Sequence, residues 1–237
     1  MGILDDLRRR DPDALHRFLW SHHLAYAQTY EIHRRFGASN INPTRHLLFR
    51  NITAHLRSRG LDPREDVRSV FEVGCSLGYL LRHLEVDVFP TAEMLHGLDI
   101  DGKAIGAGTA HLASLGSRVR LFHADMLAVD EVMALRRYDV VLCCGSLMYV
   151  NERAAGKILH AMFSHARCAV GLICLAPSGR DQGHSEVRSV DGAFVHHMDR
   201  MIHGAGGRVV SAEWVGTQTS GSSPSHVILA EPGALQR

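Results

Sequence analysis

From Val67 onward the chain alternates short apolar runs with longer stretches whose apolar residues recur every three or four positions. The runs fall at 70–73, 94–100, 119–123, 138–144 and 168–175. Nearly continuous apolar character marks strands covered on both faces, as in a parallel sheet. The stretches between them, roughly 77–86, 102–115, 127–136 and 151–166, have the length and period of crossover helices. The last part departs from this rhythm. A helix is predicted at about 190–205, then strands at 208–215 and 226–231 joined by a link rich in Ser, Thr and Gly at 217–224. That link has no room for a helix, so the two strands must pair antiparallel. The expected fold is α/β: a doubly wound, Rossmann-like, seven-stranded sheet, mostly parallel with one antiparallel C-terminal strand.

Ahead of this region, residues 1 to about 60 show only the helical period. Asp11-Pro12-Asp13 is a helix start, and Leu15, Phe18, Leu19, His22, Tyr26 and Tyr30 follow at spacings of three and four. They predict one long amphipathic helix ending near Gly37-Ala38-Ser39-Asn40. A second is expected after Asn42-Pro43-Thr44, with Leu47, Leu48, Ile52 and Leu56 on one face. The chain therefore divides into an N-terminal helical cap at 1–63 and a core at 64–237.

Composition narrows the function. With 237 residues, 46% of them hydrophobic, the chain can fill one sizeable core. Lys+Arg 26 against Asp+Glu 25 leaves a net charge of +1, which weighs against a nucleic-acid partner or an anionic membrane surface. No run reaches the roughly 18 apolar residues of a membrane span, and the N-terminus lacks a cleavage-site pattern, so a cytoplasmic location is expected. Cys75, Cys143, Cys144, Cys168 and Cys174 have neither zinc spacing nor disulfide density, and read as reduced, mostly buried thiols with no metal.

The chemistry should begin where the first strand turns into a helix, at Glu72-Val73-Gly74-Cys75-Ser76-Leu77-Gly78. Gly74 permits a tight turn against a ligand, Gly78 a second close approach, and the free amides of the helix start favour an anion. At the end of the second strand, 21 residues beyond Gly78, Asp99 can accept both hydroxyls of a ribose. Asp101 reads better as a helix N-cap. A dinucleotide fingerprint would need Gly where Ser76 stands.

With Ala124-Asp125-Met126 after the third strand, and Tyr138-Asp139 to Cys144 followed by Leu147-Met148-Tyr149 at the fourth, the arrangement over roughly 67–231 resembles the class I S-adenosylmethionine-dependent methyltransferases. The resemblance implies that Gly74, Cys75, Ser76 and Gly78 surround the methionine part of the cofactor, S-adenosyl-L-methionine, with Glu72 engaging its amino group. It implies Asp99 on the ribose, Ile100 flanking the adenine, Asp125 and Met126 reading the adenine edge, and Cys143 and Cys144 lining the site through their backbone. An N-terminal helix often closes over the cofactor in this family, so Tyr26 and Tyr30 are candidates for its carboxylate, or a polar edge on a packing helix.

An activated sulfonium methyl needs little from the protein beyond a nucleophile held in line, with a base where that nucleophile must shed a proton. Candidate acceptor-side residues are His184 in the loop after the fifth strand, Tyr149 after the fourth, and His22 or its neighbour His23 on the first helix. Arg45 could pair with a carboxylate or with a helix end. His196 and His197, adjacent in the expected last helix, would face different sides and share no ion. Cys144-Gly145-Ser146-Leu147 replaces the Asn/Asp-Pro-Pro-Tyr signature of nucleic-acid amino methylation, which together with the balanced charge favours a small-molecule acceptor methylated on O or N. Lysine occurs only at Lys103 and Lys157 against many arginines, a compositional bias compatible with natural-product biosynthesis. The alternatives are a macromolecular acceptor, such as a carrier-bound intermediate, protein or tRNA, and a non-catalytic cofactor-binding subunit. The protein is expected to be a monomer or homodimer.

Overall fold

The computed structural model describes residues 3–25, 31–37, 41–175, 185–188, 191–216 and 224–233. Four helices come first: α1 (Ile3–Arg10), α2 (Pro12–Ser21), α3 (Ile32–Arg35) and α4 (Pro43–Ser58). Then β1 (Ser69–Val73), α5 (Tyr79–His83), β2 (Met94–Asp99), α6 (Gly102–Ser114), β3 (Arg120–His123), α7 (Val129–Met133), β4 (Tyr138–Cys144), α8 (Glu152–His165) and β5 (Ala166–Leu175) alternate as expected. A small hairpin, β6 (Glu186–Val187) with β7 (Phe194–Val195), precedes α9 (Met198–Gly204), β8 (Gly207–Val215) and β9 (Ser225–Pro232).

The main sheet has seven strands in the order β3-β2-β1-β4-β5-β9-β8, with β9 antiparallel to both its neighbours. Its order reverses between β1 and β4, which opens a crevice at the carboxyl ends of those strands. Both faces are covered. Val70, Val140 and Leu142 pack toward α4 and α5, while Phe71, Val73, Val141 and Cys143 pack toward α8 and α9. Period-2 alternation is therefore present but invisible in hydropathy, because each face has its own apolar layer. Helix α4 belongs to this core: Leu48, Ile52 and Leu56 are fully buried, and a Cβ on Gly171 of β5 would stand 3.0 Å from Ile52 Cδ1.

Two predicted helices differ. The long first helix stops at Ser21, where His22 caps it by donating its amide to the Phe18 and Trp20 carbonyls and His23 turns back at φ 59°. The turn is held because the His23 ring contacts Asp101 at 2.7 Å, a long-range partner that the helical period does not reveal. The helix expected at 190–205 begins only at Met198. Gly192, at φ 77°, closes the β6–β7 hairpin with its amide on the Arg188 carbonyl, and Asp191 Oδ1 accepts the Ala193 amide. Asp191-Gly192 is a turn signal that the period of Met198, Met201 and Ile202 masked.

After α5 the chain makes one wide turn at Leu84–Val88 and buries Glu85. Ser117 Oγ, the Arg118 amide and Arg82 Nη1 reach the Glu85 carboxylate at 2.6, 2.7 and 2.6 Å. Burial alone would raise this carboxyl; the hydrogen bonds and arginines outweigh it and hold its pKa at about 2. A depressed carboxyl contributes stability that is complete above its ordinary pKa of 4.5 and drains away as the pH falls toward 2. Glu85→Ala should cost about 1–3 kcal/mol in urea unfolding at pH 7, because it leaves the Ser117 hydroxyl and the Arg118 amide without their buried acceptor. It should also flatten the loss of stability between pH 4.5 and 2 relative to wild type. Unchanged stability at pH 7 would contradict this role.

Candidate functional site

The crevice is built by one tight loop. After β1 the amides of Gly74 and Cys75 both donate to the Leu98 carbonyl, and the chain passes through positive φ at Gly74 (75°) and again at Ser76 (50°). A side chain at Gly74 would put its Cβ 1.9 Å from Ser146 Oγ, so this position has to be glycine for space as well as for φ. The strained Ser76 is held by its amide donating to Asp99 Oδ2 at 2.8 Å, and Asp99 Oδ1 accepts the Asp101 amide at 2.9 Å. Burial raises the Asp99 pKa, with the Asp101 and Ser76 amides acting in the opposite direction. Asp101 is the N-cap of α6, accepting the Lys103 and Ala104 amides at 3.0 Å each.

Around this loop lies a cavity of about 180 Å³. Glu72, Gly74, Cys75 and Ser76 line it from β1 and its loop, Asp99 and Ile100 from the end of β2, and Asp125 and Met126 from beyond β3. Cys144, Gly145, Ser146 and Tyr149 close it from the end of β4. Nine of the residues predicted to hold a cofactor thus meet at one place. Gly78 and Cys143 do not reach its wall. Gly78, at φ 76°, starts α5 where a Cβ would strike Leu121 at 2.8 Å, so it serves helix–sheet packing; Cys143 is buried in the core. Tyr26, Tyr30 and His184 lie outside the described residues.

The roof of the cavity is α2. Asp13, His16, Arg17 and Trp20, at spacings i, i+3, i+4 and i+7, present one face to it. Asp13 accepts both the amide and the side-chain nitrogen of Asn151, at 2.9 and 2.7 Å; Arg17 meets Asp125 at 3.0 Å. The Tyr149 ring packs between His16 and Trp20, at centroid distances of 4.9 and 5.1 Å. Sequence reasoning followed the apolar stripe to His22 and missed this polar face, although the same spacing displays it. His22 is not at the site: it is exposed, and its Nδ1 lies 2.9 Å from the Phe18 carbonyl at the end of its own helix. Arg45 does line the cavity, its guanidinium 5.2 Å over the Tyr79 ring, and its charge acts on the Glu72 carboxyl. His196, in the link just after β7 rather than in a helix, contacts the Leu147 and Val150 carbonyls at 3.0 and 3.1 Å and steadies the turn that carries Tyr149. Among the described residues no cluster of His, Cys, Asp or Glu could hold a metal.

The donor set suits an amino acid joined to a nucleoside. Glu72 is 2% exposed, its Oε2 has no partner, and burial raises its pKa to about 8, with Arg45 lowering it and Asp99 raising it. A ligand ammonium would satisfy that orphaned atom, and the Asp99 carboxylate would suit a pair of hydroxyls. Ser76 Oγ is likewise buried without a partner. Burial drives the Cys75 and Cys144 thiols well above the ordinary range, which holds them protonated.

The family model for methyltransferase domains matches residues 70–168, the segment that carries this loop and Asp99. Residues 70–168 are a methyltransferase domain. The chain is similar in fold to the magnesium protoporphyrin IX methyltransferase ChlM of Synechocystis PCC 6803 with bound SAM, at 15% identity and a TM-score of 0.60 over 94% of this chain and 98% of that one. It is also similar to the 1,6-didemethyltoxoflavin-N1-methyltransferase of Burkholderia thailandensis, at 15% identity and a TM-score of 0.62 over 92% and 90% of the two chains. No curated protein sequence matches the chain.

Gly74→Ala should lower the stability of this methyltransferase domain by about 1–2 kcal/mol from the left-handed backbone alone, with the contact against Ser146 adding to it. Adding Ser146→Gly should recover the contact part and leave the backbone part, read as urea midpoints of the three variants. Equal stability of Gly74→Ala and wild type would contradict the geometry of the loop.

Proposed function

We propose that the cavity under α2 holds S-adenosylmethionine beside a small-molecule acceptor, and that the enzyme methylates an O or N atom of that acceptor in natural-product biosynthesis. The observation that carries the reading is the single cavity shared by the loop of β1, Asp99, Asp125 and the polar face of α2. In it Glu72 would engage the ammonium of the cofactor, Gly74, Cys75 and Ser76 its methionine part, and Asp99 its ribose. Ile100 and Met126 would flank the adenine, with Asp125 and the backbone at Cys144 completing the wall. When bound, the cofactor supplies a methyl already activated on a positively charged sulfur. The chain then has to hold acceptor and methyl in line and keep water out, and the closed roof over the loop is suited to that. Of the segment 1–63, read as a cap, α2 roofs the cavity, and Arg35 of α3 and Arg45 of α4 also line it.

A small acceptor is supported by the near-zero net charge and by the neighbours named for methylation of a porphyrin and of didemethyltoxoflavin. No helix among the described residues is long and apolar enough to cross a membrane. A cytoplasmic setting accords with five free cysteines.

Calorimetric titration should show S-adenosylhomocysteine binding in preference to NAD. Asp99→Asn should weaken it about ten- to hundredfold, the loss of one or two charge-assisted hydrogen bonds. Because the Glu72 carboxyl holds its proton up to about pH 8, a cation binding beside it must release that proton. Affinity should therefore rise from pH 6 to 8 in wild type and lose that slope in Glu72→Gln. Preference for NAD, or no binding of S-adenosylhomocysteine, would overturn the reading.

A further inference from the structure

Most titratable groups lining the cavity, among the described residues, are committed or unable to take a proton near neutral pH. Asp99 holds two loop amides, Asp125 meets Arg17, and Asp13 holds Asn151. Burial drives the Cys144 thiol well above its ordinary range and the Tyr79 phenol up to about 12. Glu72 sits on β1 at the end assigned to the cofactor's ammonium. His16 is the group that remains. It is 5% exposed, lines the cavity from α2, and stands in an aromatic wall with Tyr149 and Trp20 whose neighbouring rings are each inclined at 51°. The charged groups facing it are Asp13 on its own helix, Arg8 of α1 and Asp191 at the tip of the β6–β7 hairpin, beside the Gly192 backbone. Burial lowers its pKa, so it is neutral and can accept a proton; the Gly192 backbone and the Asp191 and Asp13 carboxylates act in the opposite direction and favour the imidazolium once formed.

Resting on the cofactor reading above, we propose that His16 is a catalytic residue, the general base for the methyl acceptor, and that Tyr149 and Trp20 seat this acceptor as a planar aromatic bearing an acidic O–H or N–H. The two parts agree chemically. An imidazole can take the proton of a phenol or an acidic ring N–H but is a poor match for an aliphatic alcohol, and flat rings are what an aromatic wall seats best. In the step, the acceptor's O–H or N–H proton passes to a ring nitrogen of His16 while its oxygen or nitrogen forms a bond to the methyl carbon. The carbon–sulfur bond breaks and its electron pair stays on the sulfur. The imidazolium then gives its proton to solvent.

The test uses 7-hydroxycoumarin, a planar phenol whose neutral and anionic forms absorb at different wavelengths, added to the full chain saturated with S-adenosylhomocysteine at pH 7. Bound dye should carry a larger phenolate fraction than free dye at the same pH. His16→Gln should still bind the dye and lose that excess, while Trp20→Ala should bind it about tenfold more weakly. Calorimetry of S-adenosylhomocysteine on each variant reads the fold and cofactor site separately. Wild type that fails to bind S-adenosylhomocysteine overturns the cofactor reading and this proposal with it. Cofactor binding without dye uptake, or with an equal phenolate fraction in His16→Gln, overturns this proposal alone. Should His16→Gln lose the fold, the wild-type excess decides, and its absence overturns the proposal.

Discussion

The site depends on one hydrogen bond between the ends of two parallel strands, from the Ser76 amide to the Asp99 carboxylate. A non-glycine residue at φ 50° does not stay there unaided, and Asp99 holds it in place while its other oxygen takes the Asp101 amide. That arrangement sets the curvature of the loop after β1. It also orients the next acid along, so that Asp101 caps α6 and meets His23 just beyond the end of α2. The sheet's switch point, the ligand loop and the near end of the roof are thereby linked through two neighbouring carboxylates.

The roof is held by polar contacts rather than by a buried apolar stripe. Asp13 ties α2 to the start of α8, Arg17 ties it to the segment after β3, and His23 to the start of α6. Contacts of this kind are modest individually, so α2 is held over the site by several of them together. The same polar face supplies the residues that complete the cavity, so holding the roof and shaping the site are one arrangement.

The core was largely legible in the sequence because its signals are local. Continuous apolar runs gave the parallel strands, the short link at 217–224 gave the reversed one, and Glu72 to Gly78 with Asp99 marked the ligand loop. What escaped depends on distant partners. The stop at Ser21 follows from His23 meeting Asp101, 78 residues away, and the β6–β7 hairpin from a turn at Gly192 that packs against Arg8 and Pro12. Gly78 shows another limit. Its spacing suggests a ligand, yet the side chains of Leu112 and Leu121 are what exclude a Cβ there, and only packing could show it. His16 was overlooked for a related reason, since an amphipathic helix was read for its apolar face and the working residues lie on the other.

The central claim is that one cavity, floored by the β1 loop and roofed by α2, holds the cofactor alongside the wall formed by His16 and Tyr149. A crystal structure of the complex with S-adenosylhomocysteine tests it most directly. The account predicts ribose hydroxyls on the Asp99 carboxylate, adenine beside Met126, and α2 in place with Asp13 still on Asn151. A ligand bound elsewhere, or one that enters only when α2 has left and Trp20 no longer faces Tyr149, would contradict it.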